Sequence, residues 1–221
     1  MRYSVARAAA TVAAIALAAG VLQGAQASII SFQTRFDAAP SFSDAAGART
    51  VVEGLTAVAP TAGYCDAAPA AWDGLSNQAT CGGGSTNIAF DISATFGVSA
   101  AQAGTWSFRI GPDFGFGGAL FVDGVAFDFG NSMWWAGSYA DPSQILEATV
   151  FLGAGNHVLE VYGAEGCCDG AQQAQFLAPG AADFVIFGAG DGLNLLAVPE
   201  PSVLALFGLG LAGLGFSRRK R

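Results

Sequence analysis

The chain of 221 residues is poor in basic and imidazole side chains. Its single lysine, Lys220, is the next-to-last residue, and its single histidine is His157. A Ser-His-Asp hydrolase would need that histidine as its base, and the chain has no G-x-S-x-G motif. The glycine run 82–84 lacks the lysine of a phosphate-binding loop. We therefore interpret His157 as a turn residue, assign no catalytic residue and predict that the protein is not an enzyme.

Basic residues are scarce in the body of the protein, residues 28–197. This segment holds three arginines against sixteen carboxylates, a net charge of −13. Such a surface repels the phosphates of nucleic acids and anionic lipids, so we expect no nucleic-acid partner. We interpret the acidity as a solvated shell, with attraction of divalent cations as the alternative.

Residues 1–27 have the three parts of a signal peptide. A basic start is followed by an apolar run to Leu22 and by small residues at Ala25 and Ala27. This order predicts a signal helix that signal peptidase removes, leaving Ser28 as the first residue of an exported protein.

The C-terminus, residues 198–221, has a different pattern. Its apolar stretch 202–216 would span roughly 22 Å as a helix, less than the roughly 30 Å of a bilayer core. We expect a short, marginal transmembrane helix. The cations that follow it would stop transfer and stay cytoplasmic: Arg218, Arg219, Lys220 and Arg221.

This tail resembles the PEP-CTERM sorting signal of Gram-negative bacteria. The motif residues are Val198, Pro199, Glu200 and Pro201. The resemblance implies recognition by an exosortase, a membrane protease-transpeptidase, after transient anchoring in the inner membrane facing the periplasm. It also implies a final place at the cell surface or in the extracellular matrix, in association with polysaccharide.

The sequence pattern of the body predicts an all-β fold. Residues 28–86 have little pattern beyond a strand at 31–36, so we expect a loop-rich segment there. Residues 87–197 alternate apolar and polar side chains, with Asp123-Gly124 as a hairpin turn. The predicted strands are 87–96, 105–110, 119–122, 125–129, 147–152, 157–162 and 184–187. With no convincing amphipathic helix in the body, this pattern predicts an antiparallel β-sandwich or jelly roll between the two terminal helices.

Residues 105–177 resemble the protective-antigen-like β-sandwich of toxins, glycosidases and fungal adhesins. The matching residues are 106–108, Asp113, 120–124, 152–157 and 161–162. Sugar-binding members of that family hold calcium with two adjacent aspartates. Pro112-Asp113 supplies only one, so we expect no cofactor, and calcium at this position stays the alternative.

Four cysteines in an exported chain predict disulfides: Cys65, Cys81, Cys167 and Cys168. Neighbouring Cα atoms lie about 3.8 Å apart, closer than in most disulfides. We therefore expect Cys167 and Cys168 to bond separately to Cys65 and Cys81. A bond between the two neighbours and a four-thiolate zinc site are the alternatives.

Loop aromatics indicate a binding surface. Adjacent tryptophans on a strand cannot both point inward, so one would be free to stack on a sugar ring. The candidate glycan contacts are Asp113, Trp134, Trp135 and Tyr139. The alternatives are that both tryptophans cap the core, or that a hydrolase uses Asp113, Asp123 and Asp128.

Overall fold

The computed structural model describes residues 27–38, 40 and 42–197. Within them lie two helices, a short 3-10 helix and thirteen strands. The strands are β1 (Ile29–Phe36), β2 (Asp66–Ala67), β3 (Asp73–Leu75), β4 (Thr86–Val98), β5 (Gly104–Gly111), β6 (Asp113–Phe114), β7 (Gly118–Val122), β8 (Val125–Gly130), β9 (Met133–Trp134), β10 (Leu146–Leu152), β11 (Gly155–Cys167), β12 (Gln172–Leu177) and β13 (Val185–Ile186). The helices are α1 (Ala45–Thr56) and α2 (Asn77–Cys81), and the 3-10 helix is Pro142–Gln144.

The strands form two antiparallel sheets, so the predicted β-sandwich is confirmed. The six-stranded sheet has the order β2-β1-β4-β11-β7-β8. The five-stranded sheet has the order β10-β5-β12-β13, with β3 also paired to β12. A separate ribbon joins β6 to β9. The strand pairings among the described residues are antiparallel, including those that join strands far apart in the chain, such as β4 with β11 and β5 with β12.

The core lies between the two sheets and follows from the alternation of each strand. Along β4 the inward residues Ile88, Phe90 and Ile92 are fully buried, because successive side chains of a strand point to opposite faces. From the five-stranded sheet, Trp106 and Phe108 enter the same core. Ring contacts among these side chains give the core its aromatic character.

Helix α1 covers the outer face of the six-stranded sheet. Asp44 caps it by accepting the Gly47 backbone N–H at 2.7 Å. Ala48 and Val52 are buried against a small second cluster that contains Phe121 and Tyr162 of the sheet. The prediction that the body lacks a helix is therefore wrong, and residues 28–86 are more ordered than expected.

The hairpin prediction is confirmed. Asp123 and Gly124 join β7 to β8 with φ values of 50° and 75°. Two consecutive positive φ angles are what a two-residue turn requires to match the twist of its strands.

The disulfides differ from the crossed arrangement that we predicted. Cys65 is bonded to Cys81, and Cys167 is bonded to Cys168. Thr34 of β1 brings the first pair together: its hydroxyl accepts the Cys65 N–H at 3.1 Å and lies 3.4 Å from the sulfur of Cys81. Cys167 and Cys168 lie at the exposed end of β11. With this pairing, no disulfide among the described residues joins the N-terminal segment to that strand.

The predicted signal helix, sorting motif and stop-transfer cations lie outside the described residues. Among the residues that are described, no helix is both long and apolar enough to cross a membrane.

Candidate functional site

The outer face of the five-stranded sheet is the candidate site. Inward side chains such as Phe108 are buried, and their neighbours Ser107 and Arg109 point outward. On β12 the outward residues are Gln173 and Gln175. Within the described part of the chain no helix covers this face, and its polar side chains are partly exposed.

Arg109 is held between two aromatic rings at the centre of this face. Its guanidinium carbon lies 4.1 Å from the ring centroid of Tyr139 and 3.8 Å from that of Phe184. Its Nε and Nη2 donate to Gln175 Oε1 at 2.9 and 2.6 Å. Cation–π attraction on both sides and two hydrogen bonds fix this side chain in one orientation.

A chain of side-chain amides continues from Arg109 across the sheet. Gln175 Nε2 donates to Gln173 Oε1 at 2.6 Å, and Gln173 Nε2 donates to Asp73 Oδ1 at 2.6 Å. The Tyr139 hydroxyl donates to Gln173 Oε1 at 3.2 Å. Burial raises the pKa of Tyr139 well above its usual range, so the hydroxyl remains a neutral donor. The orientation of each amide is thus determined before any ligand arrives.

Trp135 extends the row of rings along β5. Its ring lies over Gly111, where a Cβ would overlap it, and its centroid is 5.4 Å from that of Tyr139. Trp135, Tyr139, Arg109 and Phe184 form one surface, which we call the ring row. A glycine is required at position 111 because only the bare backbone leaves room for the indole.

Two hollows flank Phe184 on this face. The first, of about 370 Å³, is lined by Ser107, Glu147 and Thr149 beside Phe184. The second, of about 610 Å³, is lined by Asp73, Gln175 and the segment 184–191. Each hollow therefore combines an aromatic wall with polar groups.

The structure separates the four predicted glycan contacts. Trp135 and Tyr139 lie in the ring row, whereas Asp113 and Trp134 are opposite each other in the β6–β9 ribbon. Trp134 is 58% exposed and Trp135 is mostly covered, so the two indoles point to opposite sides, as predicted for adjacent strand residues.

The Asp113 side chain is buried beneath the ribbon. Its Oδ2 accepts the Gly170 N–H at 2.5 Å. Burial raises the pKa of Asp113 to about 6, against the lowering effect of this hydrogen bond. Asp113 thus ties a loop in place and does not join the ring row.

The other candidate acids for a hydrolase also accept backbone N–H groups. Asp123 accepts from Val158 at 2.9 Å, and Asp128 accepts from Glu147 at 2.8 Å. His157 Nδ1 lies 2.7 Å from Asp123 Oδ2, so the histidine supports the turn that Asp123 makes. In the described residues no group of three or more His, Cys, Asp and Glu side chains could hold a metal ion.

Arg109, Phe184 and the glutamines of β12 were not predicted as site residues. Arg109 and Phe184 are far apart in the sequence, and no local motif joins them. The available signal was Gln173–Phe176, in which glutamines alternate with apolar residues, a pattern that places the amides of Gln173 and Gln175 on one face of a strand.

Comparison with known proteins gives one sequence match. The PEP-CTERM protein-sorting motif matches residues 197–220. This chain carries that sorting signal. It implies export of the protein and sorting by an exosortase. No curated protein is similar to the chain in sequence.

Several solved structures are similar to this chain in fold. A PA14 sugar-binding domain from an RTX adhesin is 15% identical, with a TM-score of 0.48, over 78% of this chain and 100% of that domain. The PA14 domain of an antifreeze protein is 10% identical, with a TM-score of 0.49, over 75% of this chain and 89% of that one. The A domain of epithelial adhesin 6 from Candida glabrata, in complex with Galβ1-3GlcNAc, is 14% identical, with a TM-score of 0.45, over 80% of this chain and 91% of the adhesin domain.

Proposed function

We propose that this is an exported, non-enzymatic protein of the cell surface or extracellular matrix that contacts a glycan through the outer face of its five-stranded sheet. The sorting motif supports the location. The observation that carries the glycan contact is Arg109, fixed between Tyr139 and Phe184 and linked to an ordered amide chain.

The chemistry of the face suits a sugar. Sugar rings have apolar faces that pack on aromatic rings, and their hydroxyls need both donors and acceptors at fixed positions. The ring row supplies the flat surface, and the amides and carboxylates supply the polar partners. Because these groups already hold one another, little side-chain entropy is lost when a ligand binds.

The protective-antigen-like pattern of residues 105–177 is compatible with this proposal. The calcium arrangement of that family is not part of it, because the Asp113 carboxylate is directed at Gly170. The exposed indole of Trp134 is a second contact in the proposal, on the neighbouring ribbon. No observation favours the hydrolase alternative, since its three acids accept backbone hydrogen bonds.

A panel of soluble polysaccharides in native affinity gels tests the proposal on the exported protein. We expect retardation by at least one polymer, and loss of that retardation in the Tyr139→Ala/Phe184→Ala variant. Phe36→Ala is the matched control, because Phe36 is 52% exposed at the end of β1, in the other sheet. Trp134→Ala tests the ribbon separately.

Equal retardation of the double variant and the wild type would contradict the proposed site. Absence of retardation by every polymer in the panel would contradict the proposed glycan contact.

A further inference from the structure

The two hollows beside Phe184 lie across the strands and not along one of them. The first is lined by residues of β5 and β10, including Ser107 and Thr149. The second is lined by residues of β3, β12 and β13, including Asp73 and Gln175. From β10 through β5 and β12 to β3 there are three strand spacings, which is roughly 14 Å.

Phe184 is the shared wall of both hollows. Its ring packs against the Arg109 guanidinium, whose carbon lies 3.8 Å from the ring centroid. A ligand that fills both hollows must therefore pass over this ring, and a flat apolar ring is a surface on which a sugar unit can rest. The position of Phe184 gives the face three consecutive contact points: hollow, ring, hollow.

Each hollow contains hydrogen-bonding groups of its own. In the first, the hydroxyls of Ser107 and Thr149 lie 3.2 Å apart, and Glu147 adds a carboxylate. In the second, one oxygen of Asp73 accepts from Gln173, which leaves the other oxygen without a hydrogen-bond partner among the described residues. Hydroxyl groups of a ligand would find acceptors on both sides of Phe184.

The charges at the hollows indicate which polymer would bind. Glu147 is in one hollow, Asp73 and Asp191 are in the other, and no cationic residue lines either of them. Arg109 lies between its two rings, and the body carries a net charge of −13. A polyanionic chain would be repelled along its length, whereas a neutral one would meet only hydrogen-bonding groups.

From these observations, and resting on the proposed glycan contact, we infer that the ligand is an internal stretch of a neutral polysaccharide that crosses the strands and fills both hollows over Phe184. The site is then a platform that is open on either side of Phe184. Such a platform selects polysaccharides by their length and lack of charge, and it does not require the end of a polysaccharide chain.

Native affinity gels with two groups of polymers test the charge. The neutral group is dextran, galactomannan and hydroxyethylcellulose, and the acidic group is polygalacturonate and alginate. We expect retardation only in the neutral group, with little change between 20 and 500 mM salt because no charge pair forms. Stronger retardation by an acidic polymer, lost in Tyr139→Ala/Phe184→Ala, would overturn the inference and leave the proposed function intact.

Oligosaccharides of one to six units, prepared from the neutral polymer that retards the protein, test how binding depends on ligand length. Calorimetry should show affinity that increases by about tenfold or more from the shortest binding unit to the hexamer, because a second hollow becomes filled. A monosaccharide that binds as tightly as the hexamer would overturn the inference, again without affecting the glycan contact.

Two blocking variants test the hollows one at a time. Thr149→Trp would fill the first hollow and Ala189→Trp the second, since both residues are exposed lining residues. Each should weaken hexamer binding by about tenfold. The double variant should bind the hexamer no more tightly than the wild type binds a short oligosaccharide. If neither variant changes hexamer affinity while Tyr139→Ala/Phe184→Ala abolishes it, the two-hollow path is wrong. If no neutral polymer retards the protein but an acidic one does, only the inference fails; if no polymer of either group retards any form of the protein, both the inference and the glycan contact fail.

Discussion

The two outer faces of the sandwich are built differently. On the six-stranded sheet, Ala48 and Val52 of helix α1 pack on the rings of Phe121 and Tyr162, and all four side chains are buried. On the five-stranded sheet, Tyr139 and Phe184 remain only partly covered, and the groups between them are a guanidinium and amides.

The difference shows which face the chain uses for its own stability. Apolar surface that is buried under a helix contributes to folding. Rings and amides that are aligned on an uncovered sheet contribute less to folding, and their order is better explained by an external ligand. We therefore interpret the helix-covered side as a structural face and propose the uncovered side as the binding face.

The largest effect should come from a charge under the helix. Val52→Asp would place an unpaired carboxylate in a fully buried position, and we expect a loss of about 3 kcal/mol or more in the free energy of unfolding. Urea denaturation followed by circular dichroism measures it. Val51→Asp is the matched control, since Val51 is the preceding residue and is 37% exposed; it should change stability by less than about 0.5 kcal/mol. Similar losses in both variants would show that the helix does not bury one defined side.

A carboxylate on the covered face, Asp91, should make the free energy of unfolding depend on pH. Burial raises the pKa of Asp91 to about 6, only partly opposed by the hydrogen bond from the Thr56 hydroxyl at 3.2 Å. Because the folded state then binds this proton more tightly than the unfolded state, Asp91 destabilises the protein above pH 6, and the penalty disappears as the pH falls through 6 toward 4. Asp91→Asn should be more stable than the wild type by roughly 2 kcal/mol at pH 7.5 and nearly equal to it at pH 4. Urea titrations at both pH values decide this, and a difference between the two proteins that does not depend on pH would contradict it.

A smaller effect is expected on the uncovered face. Arg109→Met keeps an apolar stem between Tyr139 and Phe184 but removes the charge and the bonds to Gln175. We expect a loss of about 1 kcal/mol in the free energy of unfolding. The variant should remain folded under native conditions, and its retardation by polysaccharide should nevertheless decrease. A loss as large as that of Val52→Asp would mean that the ring row is a structural core and not a binding surface.

The smallest effect should come from Glu147→Gln in the first hollow. Glu147 is exposed, and its side chain makes no ion pair within the described residues. Stability should change by less than about 0.5 kcal/mol, while polygalacturonate, which we expect not to retard the wild type, should retard the variant weakly because one repelling charge is gone. Retardation in gels at low salt measures the second effect, and an unchanged response to this polymer would show that Glu147 does not contribute to the selection of charge.

Much of the sandwich could be predicted because alternation is a local property. Ile88, Phe90 and Ile92 appear at every second position, and this is enough to place β4 in a core. Helix α1 was missed because Gly47 and Gly54 reduce its helix propensity, although Ala48, Val52 and Leu55 have the spacing of one helical face.

The site was predictable only in part, because it depends on contacts between distant segments. Tyr139 and Trp135 were identified as aromatic loop residues, but their partners Arg109 and Phe184 come from other parts of the chain. The disulfide pairing failed for the same reason: Thr34 and its contacts bring Cys65 beside Cys81, and no sequence spacing contains that information.

Hydrogen–deuterium exchange of the exported protein, with and without the neutral polysaccharide that retards it in gels, tests the division into two faces most directly. The account predicts slower exchange in peptides that cover residues 135–139, 173–175 and 184–189, and no change in the helix at 45–56. Protection of the helix with no protection of those three segments would contradict it.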